Sequence, residues 1–266
     1  MKRYLKYIIM GIVAVTLYTL FFPGKDKEKG KPRDYQTIVE SGILRAVTEY
    51  NSISYFADGD TVSGFHYELL NAFARSKGLT PEIIPEMSFE KRQEGILTGK
   101  YDILANSTIV TSESKDSLLF THPILLNKQV LVQRKPGLEN DSMYIHSQLE
   151  LARKTLHVVK GSPVLLRIHN LSNEIGDTIY IQEVEKYGPE QLLAMVAHGD
   201  IDYTVCDESI DDFPQLDIKT AISFTQFYSW GVSKHSPILL DSLNAWLDTY
   251  TLTPEFRELQ KKYYNK

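Results

Sequence analysis

The chain has 266 residues, 42% hydrophobic and 24% charged, with a formal net charge of −5. That is the balance of a globular protein with room for a sizeable core, and it excludes a disordered chain. The acidic surplus argues against a nucleic-acid partner, which needs a basic footprint, and a single cysteine, Cys206, rules out an internal disulfide and a cysteine-based zinc cluster.

Lys2, Arg3 and Lys6 precede an apolar stretch over residues 7–22, broken by Thr16 and Thr19. A basic start followed by an apolar run is the pattern of an export signal. The stretch is longer than many signal cores yet shorter than the roughly 20 residues that span a bilayer. No small-x-small cleavage site follows, because Leu20-Phe21-Phe22-Pro23 is bulky, and Tyr18, Phe21 and Phe22 suit a membrane interface. Residues 1–23 therefore read as an uncleaved signal anchor, with a cleaved signal peptide as the alternative. Either places the body outside the cytoplasm. Residues 24–35 read as a charged linker with no apolar face.

From Ile38 the pattern alternates helix and strand. A short helix stopped by Gly42 leads into a strand, Ile43-Leu44-Arg45-Ala46-Val47-Thr48. Residues 49–63 form a turn-rich loop with Tyr50, Tyr55, Phe56 and an Asp58-Gly59 turn signal. Gly64 opens a helix whose Leu69, Leu70, Phe73 and Ala74 recur at helical spacing. Ile83-Ile84-Pro85 reads as a second strand and residues 89–98 as a helix. Gln129-Val130-Leu131-Val132-Gln133 reads as a strand that crosses between lobes, and a second crossing falls near 220–230. Between them lie a strand over residues 155–159, a helix over 164–169 and a strand over 179–181. Helices over 239–264 close the chain. Such alternation predicts parallel sheets in an α/β fold.

One phrase occurs twice. Residues 95–107 and 195–207 each run from the end of an amphipathic helix through glycine (Gly99, Gly199) to an aspartate three residues on (Asp102, Asp202), then into a short apolar strand. Glycine takes the left-handed conformation that ends a helix, and a short apolar run suits a strand covered on both faces. The strands end in Asn106-Ser107 and Cys206-Asp207. Ligands of open α/β sheets collect at the carboxyl ends of strands, so two such units predict two lobes facing one cleft. Asp102 and Asp202 read as structural turn residues, and Cys206 as buried and inert.

No Gly-x-Ser-x-Gly, phosphate-binding loop, His-Glu-x-x-His or dinucleotide fingerprint is present. The histidines show no metal-ligand spacing, and the cluster Asp207-Glu208-x-x-Asp211-Asp212 lacks the glycine and terminal glutamate of a calcium loop. No metal or other cofactor is implied.

Gly64-Phe65-x-Tyr67-Glu68-Leu69, Gly99-x-x-Asp102, Thr111-Ser112-Glu113-Ser114, Phe120-Thr121-His122-Pro123, Val159-Lys160-Gly161-Ser162 and Gly199-x-x-Asp202-Tyr203-x-x-x-Asp207 follow one another in order over about residues 38–264. On these motifs the chain resembles the family 3 extracellular solute-binding proteins, periplasmic receptors for amino acids and related small molecules. It is also similar to the N-terminal module of the membrane-bound lytic murein transglycosylases of the F type. Those enzymes add a lysozyme-like catalytic domain that this sequence, ending at Lys266, does not carry, so the resemblance implies binding without glycan cleavage.

The resemblance implies a two-lobed periplasmic-binding fold of type II over residues 36–266. Lobe 1 would span about 36–130 plus 225–266, and lobe 2 about 131–224. Each lobe would be a mainly parallel sheet flanked by helices. It implies Asp207 as the partner of a ligand amine and Gly161-Ser162 as an anion-binding turn. Phe89, with Tyr50 or Phe56, would be an aromatic wall, and Asn106 and Ser107 polar contacts. Ser114 stands where the family usually has an arginine that grips a ligand carboxylate. The expected function is a monomeric solute-binding protein of the periplasm, held at the cytoplasmic membrane through residues 7–22. It would present an amino acid, short peptide or cell-wall peptide to an ABC-type permease or a peptidoglycan enzyme. The alternatives are an enzyme of the same fold, dehydratase-like, or a regulatory module related to lytic transglycosylases.

Overall fold

Each lobe is built on one recurring sheet. The computed structural model describes residues 30–137, 143–209 and 213–264; the apolar stretch at 7–22, with its anchor reading, lies outside them, as do Asp211 and Asp212. Among the described residues no helix is long and apolar enough to cross a membrane.

In the first lobe, helix α1 (Tyr35–Ser41) precedes strand β1 (Ile43–Thr48), and helix α2 (Phe65–Ser76) connects it to β4 (Thr80–Pro85). Helix α3 (Phe89–Leu97) then returns the chain to β5 (Ile103–Ile109). A small hairpin, β2 (Phe56–Asp58) and β3 (Thr61–Ser63), turns at Gly59-Asp60 inside the predicted loop, one residue past the Asp58-Gly59 signal. β1 pairs parallel with β4 and with β5. An antiparallel strand, β13 (Gln226–Ser233), closes the other side of β5 and carries β6 (Leu118–Phe120) and β7 (Leu125–Asn127).

The second lobe repeats the order. β9 (Thr155–Val159), helix α5 (Val164–Ile175), β10 (Tyr180–Val184), helix α6 (Pro189–His198) and β11 (Tyr203–Asp207) give the parallel trio β10-β9-β11. The antiparallel β8 (Gln129–Arg134) closes it, with the short β12 (Leu216–Asp217) beyond. Both sheets are therefore mixed, three parallel strands sealed by returning ones. Helices α7 (Pro237–Tyr250) and α8 (Pro254–Tyr264) pack back on the first lobe.

The apolar strand runs follow from two-sided cover. Along β1, Leu44 and Ala46 enter one core with Phe65, Phe73, Trp230 and Leu243, while Val47 faces a second with Ile96, Tyr101 and Leu104. Along β8, Leu131 packs beneath α5 with Leu156 and Ile168, whereas Val130 and Val132 pack beneath α6 with Leu192 and Val196. A strand buried on both faces cannot alternate polar and apolar residues.

The two repeats occupy equivalent places, each ending a helix and entering the third parallel strand. Gly99 and Gly199 have φ of 71° and 87°, the left-handed region that glycine tolerates. Asp102, wholly buried, accepts from the Arg45 N–H at 2.8 Å and from Arg33 Nη2 at 2.5 Å. Asp202, half exposed, accepts from Arg134 Nη2 at 2.6 Å. Both aspartates thus hold an arginine against the start of the strand.

Two expectations are corrected. Arg33 and Asp34, assigned to the linker, belong to the folded body. Arg33 is tied to Asp102, and Asp34 caps α1 and accepts from the Leu239 N–H at 2.8 Å. The crossings are also shorter than expected. β8 lies wholly in the second sheet, so the chain passes between sheets at Lys128, between β7 and β8. It returns between Ala221, which bridges to Val130, and Gln226 at the start of β13.

Candidate functional site

The parallel strands of both sheets aim their carboxyl ends at one cavity between the lobes. Its volume is about 110 Å³. The first lobe contributes Glu49 just past β1, Phe89 and Arg92 from α3, Asn106 and Ser107 from β5, and Tyr228 from β13. The second contributes Gln129 from the first position of β8, Ser162 after β9, and Cys206 and Asp207 from β11. An adjoining hollow of about 320 Å³ shares Phe89, Ile109, Ser162 and Pro163 with the cavity and extends it toward Ser114 and Gly161. At the rim the Ser52 N–H donates to Glu190 Oε1, and Met87 packs so close to Gly188 that a Cβ there would lie 2.7 Å from its methyl carbon. The lobes are in contact around the cavity.

Asp207 is the electrostatic centre. The Tyr228 hydroxyl donates to its Oδ1 at 2.5 Å across the lobe boundary. The Gln129 amide donates both to that Oδ1 and, at 2.9 Å, to the Tyr228 oxygen. Asp207 keeps some surface toward the cavity but is otherwise enclosed by protein. Burial pushes its carboxyl up to about 7, and the nearby Glu49 adds to the rise, while the bonds from Tyr228 and Gln129 oppose it. The same burial, with the neighbouring carboxylate, raises the Tyr228 phenol, so that hydroxyl stays a donor. Near neutral pH Asp207 can therefore switch between an acceptor for a cation and a neutral acid.

A second chain of bonds sets Ser107. Trp230 Nε1–H can only donate, and it meets His66 Nδ1 at 3.0 Å. His66 must then carry its proton on Nε2, which donates to Ser107 Oγ at 3.1 Å. Burial depresses the imidazole to about 3, which keeps it neutral. Ser107 Oγ also lies 3.3 Å from the Tyr264 hydroxyl. Asn106 is buried and accepts from Thr108 Oγ1 at 3.2 Å.

Of the residues singled out from the sequence, Phe89, Asn106, Ser107, Ser162 and Asp207 line the cavity, and Ser114 and Gly161 line the adjoining hollow. Tyr50 and Phe56 line neither. Tyr50 is exposed beside Tyr55, and Phe56 packs on the core of the first lobe. The Ser114 hydroxyl is occupied in a capping box with Thr111 at the start of helix α4 (Ser112–Ser117). The turn at Gly161-Ser162 is likewise occupied, since the Gly161 N–H donates to Glu183 Oε2 at 3.0 Å and the Ser162 N–H to Val159 O at 3.1 Å.

Glu49, Arg92, Gln129 and Tyr228 were not anticipated. One signal was available for Arg92, which shares a helical face with Phe89 and Ile96 at i, i+3 and i+7. A cation at that spacing on a buried face is conspicuous. For Gln129 and Tyr228 no local signal exists, because their roles arise from pairing between distant strands.

A model of the bacterial extracellular solute-binding proteins, family 3, matches residues 44–266. The membrane-bound lytic murein transglycosylase F of Pseudomonas fluorescens is 27% identical over 241 residues, covering 88% of this chain and 48% of that protein. The chain thus spans about half the length of the curated relatives it matches. An amino acid ABC transporter substrate-binding protein, AbpA from Streptococcus pneumoniae, bound to L-arginine, superposes with a TM-score of 0.73 at 19% identity. The match covers 87% of this chain and 98% of that one. An ancestral amino acid-binding protein, described as a precursor of cyclohexadienyl dehydratase, gives a TM-score of 0.72 at 21% identity over 86% and 98% of the two chains. These likenesses establish the type II two-lobed fold.

Proposed function

Because the chain belongs to the bacterial extracellular solute-binding proteins, family 3, we propose that it closes its cleft on a small solute bearing an amine, such as an amino acid, a short peptide or a cell-wall peptide. The observation that carries this reading is Asp207, a carboxyl directed into a cavity lined by both lobes and held by Tyr228 from the opposite lobe. A ligand touching both lobes favours the closed state by its differential affinity for it. Phe89 packs on the apolar part of the solute, and Asn106 and Ser107 meet its polar groups. The body acts as a monomer in the periplasm, with residues 1–23 as signal anchor in the cytoplasmic membrane. The closed form is read by a permease or, as the likeness to the transglycosylases suggests, by a peptidoglycan enzyme.

Thermal-shift and calorimetric titration with the twenty L-amino acids and with murein stem peptides tests the proposal. A ligand at a hundred times its Kd stabilises by about 2.7 kcal/mol, which raises Tm by roughly 5–10 °C in a body of this size. The shift is lost in Asp207→Ala. Folded protein that responds to no member of the panel sinks the reading, and turnover of a ligand would make it an enzyme of the same fold.

A further inference from the structure

We infer that Arg92, not the position of Ser114, is the group that receives a ligand carboxylate in this protein; the inference rests on the solute-binding reading above. Among the described residues lining the cavity and the adjoining hollow, Arg92 is the one cation, against Glu49, Asp207, Glu90 and Glu113. It is 4% exposed, a burial that arginine seldom reaches without full pairing. Yet its pairing is incomplete. Nη1 donates to the carbonyls of Glu86 and Met87 at 2.6 and 3.0 Å, which clamps the guanidinium to the segment after β4. Nη2 forms an ion pair with Glu49 Oε2 at 3.8 Å, a separation longer than a hydrogen bond. Nε finds no partner among the described residues. Nε–H and one N–H of Nη2 form one edge of the guanidinium, the pair of parallel donors that a carboxylate meets in bidentate fashion. The half of the group that anchors it is thus filled, while the edge suited to a carboxylate is held only by the long ion pair with Glu49 and has a buried Nε–H without an acceptor among the described residues.

The other anion positions are closed. The Ser114 hydroxyl serves its helix cap, and the Gly161 N–H is satisfied by Glu183. Placing the cation on α3 beside Phe89, with its Cζ 5.8 Å from that ring, puts charge recognition and apolar contact on one helix face. Asp207 remains for the cationic end, so the cavity suits a ligand of both charges. A free amino acid and the carboxyl end of a peptide present the same group, and the arms of the test separate them.

The test compares each amino acid that binds with its C-terminal amide and with a dipeptide ending in the same residue, by calorimetry on the wild-type chain and on Arg92→Gln and Arg92→Lys. The amide should bind the wild type about 10- to 100-fold more weakly than the acid, the usual loss for hydrogen bonds to a charged group, and Arg92→Gln should erase that ratio. A dipeptide that keeps the affinity identifies a peptide terminus as the natural group; one that loses it identifies a free amino acid. If the variants do not fold, the wild-type protein still decides, because the ¹⁵Nε–¹Hε resonance of Arg92 should move on titration with the acid and stay in place with the amide. Equal binding of acid and amide, or discrimination that survives in Arg92→Gln, overturns the inference while leaving the receptor reading intact. Binding of no panel member removes the receptor reading, and this inference with it.

Discussion

The backbone N–H of Ser52 in the first lobe donates to Glu190 Oε1 in the second at 2.8 Å. Glu190 lies in the first turn of α6, so its carboxylate is held by a helix N-terminus on one lobe and a loop amide on the other. Closure thus has a contact of its own, separate from the cavity.

Glu190→Ala should bias the lobes apart. The loss of one partly exposed, charge-assisted bond is about 1 kcal/mol, enough to weaken solute affinity roughly fivefold with little change in the melting temperature. Small-angle scattering should report a larger radius of gyration for the variant; equal radii would show that the contact does not govern closure.

Asp207 and His66 should give opposing pH slopes. The folded Asp207 carboxyl is raised to about 7, so its contribution is present at low pH and is lost as pH rises toward 7. The folded His66 imidazole is lowered to about 3, so its contribution is present above the ordinary histidine value and is lost as pH falls toward 3. Between about pH 4 and 6.5 the two slopes oppose each other. Urea titrations of Asp207→Asn should show stability rising with pH across that interval, and those of His66→Gln should show it falling.

His66→Ala should also destabilise outright. It leaves the buried Trp230 Nε1–H without an acceptor, at a cost of about 1–3 kcal/mol before any cavity is counted. Denaturant midpoints measure this, and the conservative His66→Gln should recover part of it.

The two repeat aspartates should differ in consequence. Asp102 is buried beneath the half-buried Arg33 and Arg45, so Asp102→Ala leaves both guanidinium groups and the Arg45 N–H without this acceptor and should cost about 2–3 kcal/mol. Asp202 pairs with Arg134 at the surface, and Asp202→Ala should cost about 1 kcal/mol or less. Equal losses in urea would refute the distinction.

The elements legible in the sequence were those decided by local signals. The run Ile43–Thr48 and the glycines 99 and 199 each state their structure within a few residues. Sheet membership did not, because the place of β8 depends on Val130 meeting Cys206 and Ala221, residues far away in sequence. The site followed the same division. Asp207 could be found at a strand end, whereas Tyr228 reaches it only after β13 has crossed back. Arg33 looked like one more charge in a basic run until its partner, 69 residues on, was in view.

Gln129 begins the strand immediately after Lys128, where the chain changes sheets, and it travels with Asp207 in the second lobe, while Tyr228 travels with the first. Swinging the lobes apart would strip one donor from the carboxyl and leave the other. It would also admit water to a carboxyl whose raised proton affinity comes first from burial, so opening of the cleft would change the acidity of Asp207 together with its access.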